Sequence, residues 1–158
     1  MYTKPEKQHE WLKQLLGEWT ISNAIPGEGP DCMSMGTESV KSLGDLWIIA
    51  EGTGPMPDGG TAYNRMTLGF DPAQGAFVGS WVGSMMTHQW IYRGQLDPEE
   101  KILTLESEGP DMEDQTKMGL YRDIIEIKDA NTRLLSSEYR TEGGDWKRFM
   151  SLSYTRKT

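Results

Sequence analysis

His88-Gln89-Trp90-Ile91-Tyr92-Arg93 is a stretch in which side chains able to do chemistry recur at a regular spacing. Strand alternation sends His88, Trp90 and Tyr92 to one face. Together they could line a cavity, hydrogen-bond a polar ligand head, or present His88 as an axial haem ligand. A single histidine with no partner histidine or thiolate is little to hold a haem, and a rim histidine satisfied by its neighbours is the plainer reading. Glu51 ends the apolar run Leu46–Ala50 and shares a face with Trp47 and Ile49, while Arg122 shares one with Met118, Leu120 and Ile124. A buried charge is costly unless paired, so if both point inward they should meet each other or a ligand as polar anchors. If the wall bends there, both reach solvent. Tyr63 and Arg65 fall on one face of their segment, Phe77 and Trp81 on one face of theirs, and Tyr139 joins the same wall.

These residues define an expected pocket, with Glu51 and Arg122 as anchors, Trp81 and Trp90 as apolar walls, and Tyr63, Arg65, His88 and Tyr139 completing it. The expectation concerns facing: a register error of one residue inverts a whole strand. Catalytic signatures are few. There is no Gly-x-Ser-x-Gly elbow, no phosphate-cradling glycine loop and no paired-histidine metal motif, and Gly54–Gly60 is interrupted by two prolines. Asp111, Glu113 and Asp114 could hold a cation, but such a surface cluster is more often simply solvated. No cofactor or metal is implied.

Something must position the wall, and the sequence between these residues reads as strands and turns. Thr3 and Glu6 have the spacing of a capping box. Trp11, Leu12, Leu15 and Leu16 form one apolar stripe opposite Lys7, Glu10, Lys13 and Gln14, which predicts a helix over about residues 4–16. Gly17 supplies a left-handed backbone to end it, and Trp19 begins a strand. The segment Ile25–Asp31 is rich in Gly and Pro and reads as a loop, with the next strand from about Ser34. Asp71-Pro72-Ala73-Gln74-Gly75 and Asp97-Pro98-Glu99-Glu100 are turns of similar construction within successive hairpins. About ten strands over residues 17–155, with no second helical pattern, predict an all-β, single-domain, up-and-down meander. Closure into a barrel removes the two edges such a sheet would expose.

Composition narrows the function. With 16 Lys and Arg against 24 Asp and Glu, the charge of -8 disfavours nucleic acid and anionic membranes. Cys32 is the lone cysteine, which excludes an internal disulfide and fits a reducing compartment; with no signal-like apolar segment, the expected location is the cytoplasm. Six Trp, 6 Tyr and 10 Met against 3 Phe suit a half-polar, adaptable cavity.

His9 to Trp19, Gly69-Phe70-Asp71-Pro72 leading to Phe77–Met85, and Gly94-Gln95-Leu96-Asp97 resemble the bacterial family catalogued as domain of unknown function 1579 over nearly the whole chain. The resemblance implies a lipocalin-like barrel of about ten strands with an N-terminal plug helix, and brings no established activity. The family pattern carries an Asp where this chain has Gly83. Gly17-x-Trp19 also resembles the Gly-x-Trp signature of lipocalins and fatty-acid-binding barrels. That likeness implies a Trp closing the barrel floor with a basic residue over it, Arg156 or Arg148 here. The expected function is therefore binding of a small, partly apolar molecule. The alternatives are an enzyme working through Glu51, Arg122, a Tyr and His88 in the same cavity, or a dimerisation module, a homodimer being compatible with either.

Overall fold

The computed structural model describes residues 2–24 and 36–157. The predicted loop Ile25–Asp31, Cys32 and the predicted strand start at Ser34 lie outside the described residues. A helix, α1 (Lys7–Leu12), runs on through a tighter turn at Lys13–Leu15. Ten strands follow: β1 (Gly17–Asn23), β2 (Thr37–Leu43), β3 (Trp47–Pro55), β4 (Thr61–Asp71), β5 (Ala76–Gly83), β6 (Trp90–Leu96), β7 (Ile102–Pro110), β8 (Met118–Asp129), β9 (Thr132–Arg140) and β10 (Trp146–Arg156). Each pairs antiparallel with its sequence neighbours, and β1 pairs with β10 through Trp19 opposite Arg156, so the sheet is a closed barrel. Closure leaves each of the described strands with two partners.

Aspartates build the turns at the helix-bearing end. Asp97 Oδ1 accepts from the Lys101 and Ile102 amides at 2.8 and 2.9 Å. Asp71 accepts from Ala73 and Gln74, and Gly75 returns the chain at φ +61°. These side chains take over amides that the ladder cannot satisfy. The helix starts later than the capping box at Thr3 predicts. Its N-cap is Glu6, whose amide donates to His9 Nδ1 at 2.8 Å, and His9 Nε2 reaches the Phe70 carbonyl at 3.0 Å. Pro5 disfavours helical backbone at Lys4, and buried His9 fixes the first turn to β4 instead.

The alternation divides the barrel in two. At the helix end Leu12, Leu15 and Trp19 pack on Leu68, Phe77, Leu103, Leu105 and Ile125, all at 0–1% exposure. Gly17 sits at φ +118°, and a Cβ there would lie 2.6 Å from Arg156 Nη1, so this position needs glycine for both backbone and space. At the other end the inward residues mix small ones, Gly52, Ala62 and Gly109, with large aromatic ones, and Asn64, Met66, Trp81 and Trp90 are only partly covered.

Candidate functional site

The floor of the barrel is an indole between two guanidinium groups. Trp19 donates its Nε1 to the Leu15 carbonyl at 2.9 Å, with Arg156 over one side of the ring at 4.3 Å and Arg133 near it at 4.7 Å. Arg156 is the predicted basic residue, and it also caps the helix end by donating to the Leu16 and Gln14 carbonyls. Arg133 was not anticipated. It faces the lumen from β9, stacks on Tyr154 at 4.0 Å and pairs with buried Glu38. Its signal in the sequence is the alternating row Arg133, Leu135, Ser137, Tyr139, which shares the face of Tyr139.

Above this floor stands a second polar group. Asp123 on β8 accepts the Tyr92 hydroxyl at Oδ2 (2.5 Å) and the Ser137 hydroxyl at Oδ1 (2.6 Å). Burial pushes its carboxyl above the ordinary carboxylate value, against the opposing pull of the two hydroxyls. Burial, and then the Asp123 charge, push the Tyr92 phenol well above its own ordinary value. Asp123 went unnoticed in the sequence because β8 is apolar on both faces, Ile124 beside Ile125, so alternation does not say which side is the interior.

One pleat nearer the open end runs an arc of aromatic rings. Trp81 and Trp90 are cross-strand partners. Trp90 meets Tyr121 edge to face at 4.8 Å, and Phe149 lies 6.3 Å from Tyr121 and 6.0 Å from Tyr139. Phe149 belongs to an irregularity in β10 between Arg148 and Met150. Glycines make room for the indoles. A Cβ on Gly109 would fall within the Trp90 ring, and one on Gly83 would collide with Trp81, so each indole packs against backbone.

Of the residues expected to line a pocket, Trp81, Trp90 and Tyr139 face the interior. His88 stands at the rim, its ring 4.7 Å from that of Trp90 and Nε2 2.8 Å from the Glu108 carbonyl. Glu51, Tyr63, Arg65 and Arg122 must be corrected: all four face outward. Glu51 pairs with Arg65 on the outside of β3 and β4 at 3.2 Å, and Tyr63 is 59% exposed. Arg122 pairs with Glu138 and stacks on Trp146 at 4.2 Å, outside β8 and β9. The inward set on β3 is Ile48, Ala50 and Gly52, and on β4 Ala62, Asn64, Met66 and Leu68. Small inward residues left the charged outer rows looking like the functional ones. The constellation of Glu51, Arg122 and His88 is therefore not assembled in one cavity.

Asp111 and Asp114 are occupied by turn amides, Asp111 Oδ1 accepting from Glu113 and Asp114 at 2.9 and 3.0 Å. Among the described residues no three His, Cys, Asp or Glu converge as a metal site. A surface cleft of about 250 Å³ lies at the helix end, lined by Lys7, Phe70, Gln95 and Glu100 among others. Lys7 pairs with Glu100 on its wall, and the cleft has none of the buried polar groups of the lumen. Among the described residues, no helix is long and apolar enough to cross a membrane. Comparison with curated proteins found no match. The pattern of the family described as "Protein of unknown function (DUF1579)" matches residues 4–156, nearly the entire barrel with its plug helix, and the chain belongs to that family.

Proposed function

We propose that this barrel binds a small, partly apolar molecule in its open half. The supporting observation is a contrast in coverage among residues that all face the axis. Leu68, Phe77, Leu103 and Leu105 are sealed at the helix end, whereas Asn64, Met66, Trp81 and Trp90 toward the other end keep accessible surface. A core filled by its own side chains would bury both sets alike. Aromatic walls with a few convergent polar groups, Tyr92, Asp123 and Ser137, match the general chemistry of ligand cavities.

The test is binding of the neutral dye N-phenyl-1-naphthylamine to the full chain. The expected result is a blue-shifted, enhanced dye emission with quenching of indole fluorescence. Trp90→Ala should weaken the dye about tenfold or more, the equivalent of 1.4 kcal/mol, because it removes one of the two indole walls. Failure of the unaltered chain to take up the dye would sink the reading and move the function to the outer surface.

A further inference from the structure

We infer that the molecule bound in this lumen carries a cationic amine or ammonium head, seated on the Asp123 carboxylate beneath the rings of Trp90, Tyr121 and Tyr139. The inference rests on the proposed binding function and names the ligand class.

Charge accounting within the barrel leads to it. Arg133, the cation on the inner face of β9, is committed to Glu38 and to the rings of Trp19 and Tyr154. Arg156 serves the floor and the end of the helix. Arg65 and Arg122 stand outside on carboxylates of their own. None of the ion pairs among the described residues includes Asp123. Its hydrogen-bond partners, Tyr92 and Ser137, are neutral hydroxyls. Lys147, opposite Tyr139 on the inner side of β10, is exposed at the mouth, and no positive charge contributes to holding Asp123 ionised. A partly buried carboxylate facing the lumen, with two donors and no counter-ion, is only half compensated, and a cation completes it.

The neighbourhood suits an organic cation better than a bare metal ion. Three further oxygen or nitrogen ligands would be needed around a metal, and no such group of acids and histidines converges among the described residues. Aromatic rings lie above the carboxylate instead. Tyr121 is two residues before Asp123 on the same strand and on the same face, roughly 7 Å away along it at the usual strand rise. Its ring leads edge to face to Trp90 and on through Phe149 to Tyr139. Aromatic faces attract ammonium groups through the ring quadrupole, and they do so without the hydrogen bonds a metal would require. The field of the whole chain, at -8, attracts cations as well.

The experiment compares three probes of one shape on the full chain: benzyltrimethylammonium, its neutral carbon counterpart neopentylbenzene, and the anion benzylsulfonate. Each is titrated against bound N-phenyl-1-naphthylamine. The cation should displace the dye at a concentration about tenfold or more below that needed for the anion, and below that of the neutral probe. Asp123→Asn, which keeps the shape and one accepted hydroxyl while the other hydroxyl turns to accept from the new amide, should collapse the cation-to-neutral ratio toward one, with circular dichroism confirming the fold. If the dye binds but the three probes rank alike, or the anion leads, the cation inference is overturned while the binding function stands. If the preference survives Asp123→Asn, the carboxylate is not its seat and the inference fails. Should the variant not fold, the ranking on the unaltered chain alone decides. Absence of dye binding overturns the binding function beneath both.

Discussion

At the scale of single residues, the interior is governed by two acids in unlike circumstances. Glu38 is matched by Arg133, and removing one partner leaves the other buried and uncompensated. Arg133→Met should cost about 3–5 kcal/mol in denaturant unfolding, whereas Glu38→Leu combined with Arg133→Met should recover most of that loss. A double variant no more stable than the single one would show that stacking on Trp19 and Tyr154, not the ion pair, is what Arg133 contributes. Asp123 has no such partner, and its carboxyl is raised by burial. A folded-state value above the unfolded one means that the native state holds the proton more tightly. Asp123 therefore favours folding at acid pH, and this contribution is lost as pH rises through the unfolded and then the folded value. Tyr92 and Tyr154, the titratable groups coupled to it, are both raised and stay neutral over that window. Relative to the native chain, Asp123→Asn should gain stability as pH rises above the ordinary carboxylate value of about 4, read from denaturant midpoints at each pH. A gap that moves the other way would mean that the carboxylate is held in its ionised form. The sequence hides the facing of this residue for a physical reason. Asp123 lies between Arg122 and Ile124 on a strand apolar on both sides, and only the partners Leu105 and Ser137, set by long-range pairing, turn it inward.

The elements were more legible than their facing. The hairpins at Asp71 and Asp97 follow from turn chemistry local to the sequence, and both form, with the two aspartate side chains accepting turn amides. The opening helix was legible as an element, but its first turn was not, because its start depends on His9 reaching Phe70 about sixty residues away. That tether carries a prediction. His9 accepts the Glu6 amide and meets the Phe70 carbonyl with opposite nitrogens, so a phenyl ring of similar size leaves both backbone groups unmatched. His9→Phe should cost roughly 2–3 kcal/mol and release the helix before the barrel. Amide exchange at residues 6–10 should rise while the Leu103 and Leu105 amides stay protected. Equal loss of protection in both places would show the plug and the barrel to be one cooperative unit. The strands failed in the opposite manner. In β3, Trp47-Ile48-Ile49-Ala50 offers apolar residues to both faces, so the strand is evident and its inner side is not. Glu51 was assigned to the wrong side for that reason.

For the whole molecule, closure was legible because it follows from counting. An uninterrupted series of antiparallel hairpins with no covering layer must either expose two edges or join them. The pairing that joins them, Trp19 with Arg156 and Ile21 with Tyr154, is the part no local pattern reports. It is also where the floor, the helix and the two halves of the barrel meet. The ring of Trp19 touches Arg156 from the last strand and Arg133 from the ninth, and β1 joins β2 to β10. A chain beginning at residue 36 would lose the helix and β1 together, leaving β2 and β10 as open edges and Leu68, Phe77 and Leu152 without their cover. Nine strands could in principle reclose, but the β2 and β10 side chains are spaced for an intervening strand, and Glu38 and Arg156 would face each other across the gap without the indole between them. The truncated chain should therefore form concentration-dependent oligomers in sedimentation rather than a smaller monomeric barrel. A synthetic peptide spanning residues 2–24 should restore the monomer by supplying the missing strand. A monomeric, cooperatively melting truncation would mean that β1 and the plug are dispensable, and that the remaining nine strands specify the barrel by themselves.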